Sequence, residues 1–175
     1  MHPSLAHKFE YLKSLTDNLL NELGAHDLKI LQKKRSPEVW SAIQILNHLI
    51  LSEAGTLRYL KKKIRGIDGV RMINILDSGK FVLFQIYLLG LFKLKAPRGV
   101  DQPGEEGTLE EISTQWKSLR AELVEFLEAY EADDLRKVIF KHPIFGRITL
   151  PQTLDFFGYH LRHHQRQLKK RLHKS

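Results

Sequence analysis

The chain has 175 residues, of which 42% are hydrophobic and 27% charged, enough to bury one core in a single domain over residues 1–175 and too apolar for a disordered chain. Cysteine is absent, which excludes disulfides, thiolate zinc sites, iron–sulfur clusters and cysteine nucleophiles, so any metal must be held by His, Asp or Glu. The formal charge of +8 is uneven, because residues 101–134 carry 11 acids against only Lys117 and Arg120, and it reads as an acidic helix beside basic neighbours rather than a groove for phosphates.

The first residues, Met1 to Lys8, show no basic stretch followed by an apolar run, so a cytoplasmic location is the expectation. Leu5, Phe9, Leu12, Leu15, Leu19 and Leu23 then recur every three or four residues, the stripe of an amphipathic helix that stops at Gly24. A basic loop follows, broken at Ser36-Pro37. Ser41-x-x-Gln44 has the form of a capping box and opens a second helix to about Arg65. From Ala42 to Leu51 that helix is apolar nearly all round, Gln44, Asn47 and His48 excepted, which places it centrally.

Residues 66–107 read as a long crossover. It carries an apolar helix from Phe81 to Phe92, then turns at Ala96-Pro97-Arg98-Gly99 and Gln102-Pro103-Gly104. The apolar run is shorter than the about 20 residues of a spanning helix, so a buried or interface helix is expected and no membrane partner. Thr108-x-x-Glu111 caps a third helix with the stripe Leu109, Ile112, Trp116, Leu119, Leu123, Phe126 and Tyr130. Lys141 to Arg147 reads as a loop, punctuated by Pro143 and Gly146, and Thr149-x-x-Gln152 caps a last helix striped by Leu150, Leu154, Phe157, Leu161, Leu168 and Leu172. With no convincing alternating strand, the expectation is an all-α protein: a four-helix bundle with a long crossover carrying an additional short apolar helix.

Of the nine histidines, His2, His7, His26 and His173 fall near termini or loop edges and read as surface residues. On the last helix, at about 100° per residue, His160 and His164 lie about 40° apart and border the leucine stripe, while His163 lies about 60° to the other side, nearer solvent. Such an i, i+4 pair can chelate one cation. Imidazole suits Zn(II), Ni(II), Cu(II) or Fe(II), and a catalytic site commonly takes three protein ligands, so a third is sought on another helix. His48 is the candidate, as the one titratable side chain in the apolar part of helix two. Taken singly, a core histidine is more often held by a hydrogen bond than by a metal, and an isolated i, i+4 pair arises by chance on surface helices.

Three stretches together resemble a family. They are Trp40-Ser41 leading into Ile45-Leu46-Asn47-His48-Leu49, the segment His142-Pro143-Ile144-Phe145-Gly146-Arg147-Ile148-Thr149, and the closing His160-x-x-x-His164-x-x-Gln167. The chain resembles the DinB-like (DinB/YfiT-like) superfamily of metal-binding helical-bundle proteins. The resemblance implies a homodimer, a divalent metal, Zn or Ni, on His48, His160 and His164, and a metal-dependent enzyme of thiol S-transferase or hydrolase type. Its substrate would be a small molecule, with a low-molecular-weight thiol as co-substrate. Glu53, His142 and His163 are the groups to weigh as neighbours of the metal or as a general base, although Glu53 lies about 140° round the helix from His48. The competing expectations are a non-catalytic bundle with a structural metal or a protein-interaction role, and nucleic-acid binding through the basic C-terminus. Basic residues at a helix C-terminus also complement the helix dipole, and without a nucleic-acid-binding motif no nucleic-acid partner is expected.

Overall fold

The computed structural model describes residues 1–86, 100–142 and 146–172, with side chains described up to residue 83 in the first segment. The chain is mainly α. Its helices are α1 (Pro3–Leu23), α2 (Leu28–Gln32), α3 (Ala42–Lys63), α4 (Ile75–Ile86), α5 (Leu109–Glu128) and α6 (Leu150–Leu172), with 3-10 turns at Ile64–Gly69 and Ala132–Asp134. No helix among the described residues is long and apolar enough to cross a membrane.

The starts of the long helices follow their caps. Gln44 N donates to Ser41 Oγ (3.1 Å) while Ser41 N donates to the Gln44 side chain (2.9 Å). The same reciprocal pair forms between Thr108 and Glu111 (3.2 and 2.8 Å) and between Thr149 and Gln152 (3.3 and 3.0 Å). Each cap satisfies amides that would otherwise lack partners, an effect of about 1 kcal/mol. At α1 the cap is the His2 ring, which accepts from Ser4 N, with Pro3 in the first turn where its missing N–H costs nothing.

The predicted stripes become the core. Leu5, Phe9, Leu12, Leu19 and Leu23 of α1, Ile112, Trp116 and Leu123 of α5, and Leu154, Phe157, Leu161 and Leu168 of α6 are all buried, and α3 is buried on several sides. α1 packs on α6 and α5, and α3 packs on α5 and α6, so the four long helices touch in a ring. Tyr11 and Leu15 of α1 lie against Gly158 of α6, where an added methyl would meet them at ordinary contact distance.

Three features differ from the sequence expectations. The basic loop after α1 contains the short helix α2, whose Leu31 is buried. As expected, by contrast, α1 stops at Gly24, which is right-handed with its amide still bonded to Leu20 O. Most notably, the segment read as a loop is an antiparallel hairpin, β1 (Phe140–His142) with β2 (Gly146–Ile148), in the register Phe140↔Ile148, Lys141↔Arg147 and His142↔Gly146. Phe140, His142 and Ile148 turn inward and Lys141 outward, a period-two pattern too short to stand out from sequence. Gly146 has φ +85, which favours glycine. Residues 143–145 lie outside the described residues, as do the C-terminal part of the Phe81–Phe92 helix and the turn at residues 96–99. The described α4 begins earlier than expected, at Ile75.

One polar cluster crosses the core. Glu53 on α3 is 2% exposed and receives hydrogen bonds from both terminal nitrogens of Arg120 on α5 and from Trp116 Nε1 (3.3 Å). Arg120 also donates to Thr16 Oγ1 on α1 (3.0 Å), and Thr16 donates to Leu12 O. Glu53 is thereby engaged as a structural tie among three helices and is not a neighbour of the histidines.

Candidate metal centre

His48 stands in the second turn of α3, and His160 and His164 stand one turn apart on α6, facing it. Their rings converge: His48 Nε2 is 3.2 Å from His160 Nε2, and His164 Nε2 is 3.1 Å from the same atom. The three ligand atoms all lie within 4.8 Å of one another. His48 and His164 are buried at 4% and 6% exposure; His160 retains some surface, yet its Nδ1 is buried.

The other ring nitrogens fix the proton positions. His48 Nδ1 sits 2.7 Å from the Val100 carbonyl, which can only accept, so Nδ1 carries the hydrogen and Nε2 keeps its lone pair. His164 Nδ1 donates to Gln167 Oε1 (3.0 Å), and the Gln167 amide donates in turn to His163 Nε2 (2.9 Å). His164 Nε2 is therefore also a lone pair. Both aim at His160 Nε2, and a neutral imidazole has one N–H at most. A hydrogen on His160 Nε2 satisfies one partner and strands the other; a hydrogen on Nδ1 leaves three lone pairs in mutual contact.

Protonation does not relieve this. Burial pushes His164 down to about 3, with the charges of His48 and His163 adding to the effect. Burial likewise holds His160 well below the ordinary histidine range, helped by His164 and His48, and it lowers His48 against the opposing bond to Val100. Three neutral, converging nitrogens are the donor set of a cation. With metal–nitrogen bonds of about 2.0–2.1 Å, the edge of a tetrahedron is about 3.3–3.4 Å, close to the two spacings found here, so the residues fit a divalent metal.

The surroundings are aromatic. Trp40 packs on His48 with ring centroids 5.0 Å apart, and Phe156 stacks on His160 at 5.3 Å. His142 on β1 packs edge-on against the same Phe156 at 4.9 Å, and burial pushes its ring down to about 4. Among the groups weighed beside the metal, His163 thus reaches the centre through Gln167 and by its ring edge-on to His164 at 5.1 Å, His142 through Phe156, and Glu53 not at all. The sequence reading missed the Val100 carbonyl, which carries no side-chain signature. It also missed Phe156, whose signal was its place four residues before His160, and the two hydrogen bonds of Gln167, although Gln167 itself closes the motif.

A mainly helical chain with one histidine on a central helix and a His-x-x-x-His pair facing it defines a class. The sequence profile of the DinB superfamily matches residues 9–168, and the chain belongs to that superfamily. A curated relative, the uncharacterized protein YuaE of Bacillus subtilis, is 24% identical over 150 residues, which cover 86% of this chain and 88% of the relative. No solved structure matches the chain.

Proposed function

We propose that His48, His160 and His164 hold one divalent cation, zinc or nickel, through their Nε2 atoms, and that the protein is a metal-dependent enzyme of thiol S-transferase or hydrolase type. The observation that supports this reading is the convergence of three neutral lone pairs that no proton arrangement satisfies. When bound, such an ion supplies Lewis acidity at the positions that three protein ligands leave open, the usual basis for activating water or a thiol on a small substrate. The chain's own residues do the positioning. Val100 and Gln167 hold two of the ligands in the tautomer that a metal requires, and Trp40 and Phe156 wall the rings against water.

The test is metal content of untagged protein, wild type and variants. About one equivalent is expected in the wild type and in His163→Ala, and loss in His48→Ala, His160→Ala and His164→Ala. Wild-type protein that takes up no zinc or nickel after reconstitution would remove the proposal. The low exposure of His48 and His164 also favours a second reading, a structural ion in a closed site. Cobalt-substituted protein separates the two: a thiolate charge-transfer band on adding a low-molecular-weight thiol supports the enzyme, and an unchanged spectrum supports the closed site.

We further propose a homodimer through α4, where Ile75, Leu76 and Leu83 are 89%, 74% and 67% exposed while Phe81 is buried. Leu76→Glu should yield a monomer by sedimentation.

A further inference from the structure

Beyond the histidines, a cleft of about 260 Å³ opens where the segment after α1, the start of α3 and the end of α6 meet. Its basic wall is Lys33, Lys34, Arg35 and Arg171, and Trp40 with Leu172 forms its apolar wall. The charges are concentrated. Lys34 pairs with Glu105, but among the described residues no carboxylate pairs with Lys33 or Arg35. Arg35 Nη2 donates to the Arg171 main-chain carbonyl at 2.6 Å, which brings two guanidinium-bearing residues together at the cleft. Burial and the Arg35 charge both push the Arg171 guanidinium down from its ordinary value.

We propose that this cleft binds a small organic anion, a phosphate or carboxylate with an apolar body, the acid group against Lys33 and Arg35 and the body against Trp40. Three observations carry it. Arginine side chains supply the forked donors that match phosphate and carboxylate oxygens. Trp40 and Leu172 supply an apolar face beside those donors. The volume of about 260 Å³ is just below the about 300–1,000 Å³ typical of small-molecule sites, which suits a small ligand. Trp40 also packs on His48, so an occupant of the cleft lies one aromatic ring away from the candidate metal centre. The proposal does not depend on a metal at that centre.

Phenyl phosphate and benzoate serve as probes, with benzyl alcohol as the uncharged control, titrated into the full chain at constant ionic strength. Tryptophan fluorescence reports on the cleft, since Trp116 is buried in the core and Trp40→Phe removes the cleft signal. Calorimetry gives the affinity independently of either ring. The expected result is saturable binding of at least one anion and none of benzyl alcohol, weakened about tenfold or more in Lys33→Gln and in Arg35→Gln, both exposed positions whose melting temperatures should not move. Lys170→Gln, exposed on the same helix end but outside the cleft, should bind as the wild type does. The tighter of the two anions identifies the acid group. No saturable binding, binding undiminished in both cleft variants, or an equal loss in Lys170→Gln would overturn the proposal. So would a duplex oligonucleotide that displaces the probe and is weakened by the same variants, which would make the cleft part of a nucleic-acid surface.

Discussion

Two buried polar clusters share helix α3, and they are finished differently. Around Glu53, donors meet acceptors: both Arg120 terminal nitrogens and the Trp116 ring nitrogen point at one carboxylate, and Thr16 takes a further Arg120 hydrogen. Around His48, acceptors meet acceptors, because the outer nitrogens of His48 and His164 have used their hydrogens on Val100 and Gln167. The first cluster balances its charge within the protein, and of its buried polar atoms only Arg120 Nε has no partner among the described residues. The second leaves nitrogen lone pairs facing one another, an arrangement compatible with the proposed cation. A buried polar group thus says little about function until its hydrogens have been counted.

The largest effect should come from breaking the Glu53–Arg120 pair. Arg120→Ala leaves the Glu53 carboxylate buried without its cation, and a loss of about 3–5 kcal/mol in urea unfolding is expected, the same with or without added metal. A loss below about 1 kcal/mol would mean that the pair is dispensable and the contrast overstated.

Acid should act on the other cluster and its neighbour. In metal-free protein His142 and His164 titrate near 4 and 3, below the ordinary 6.5, so between those values the unfolded chain binds more protons than the folded one. Stability is then full above pH 6.5 and falls as the pH drops toward about 4 for His142 and about 3 for His164. His142 alone would contribute roughly 3 kcal/mol to that fall. His142→Phe should flatten the profile by about that amount, and an unaltered slope would show that the ring is not the group responsible.

The smallest effect should be the most selective. Gln167→Met keeps the volume but removes the acceptor for His164 Nδ1 and the donor to His163. Metal affinity should fall about 10–100-fold, as for other partners of metal-bound histidines, while metal-free stability shifts by less than about 1 kcal/mol. Equal losses in both would make Gln167 a packing residue.

The parts legible from sequence were those written locally. A capping box spans four residues, and a stripe on a helix repeats every three or four, so α3, α5 and α6 could be placed from their own letters. The pair His160 and His164 was legible for the same reason, one turn of one helix. The Glu53–Arg120 tie was not, because its partners come from separate helices and an arginine between Trp116 and Leu123 looks like any solvated face residue until the other helices are present. The hairpin escaped because three-residue strands give one cycle of alternation, and the Pro143 and Gly146 beside them signal a loop equally well. The short helix α2 escaped for want of length. His48 stood out as a lone titratable group in an apolar run, but what orients it did not.

That orienting group is the carbonyl of Val100, and it belongs to the main chain. Every amino acid supplies the same carbonyl, so substitutions at position 100 that preserve the path of the chain leave the acceptor in place. Insertions or deletions between α4 and α5 slide a different carbonyl, or none, toward the imidazole. The alignment of His48 is therefore tolerant of spelling and intolerant of length.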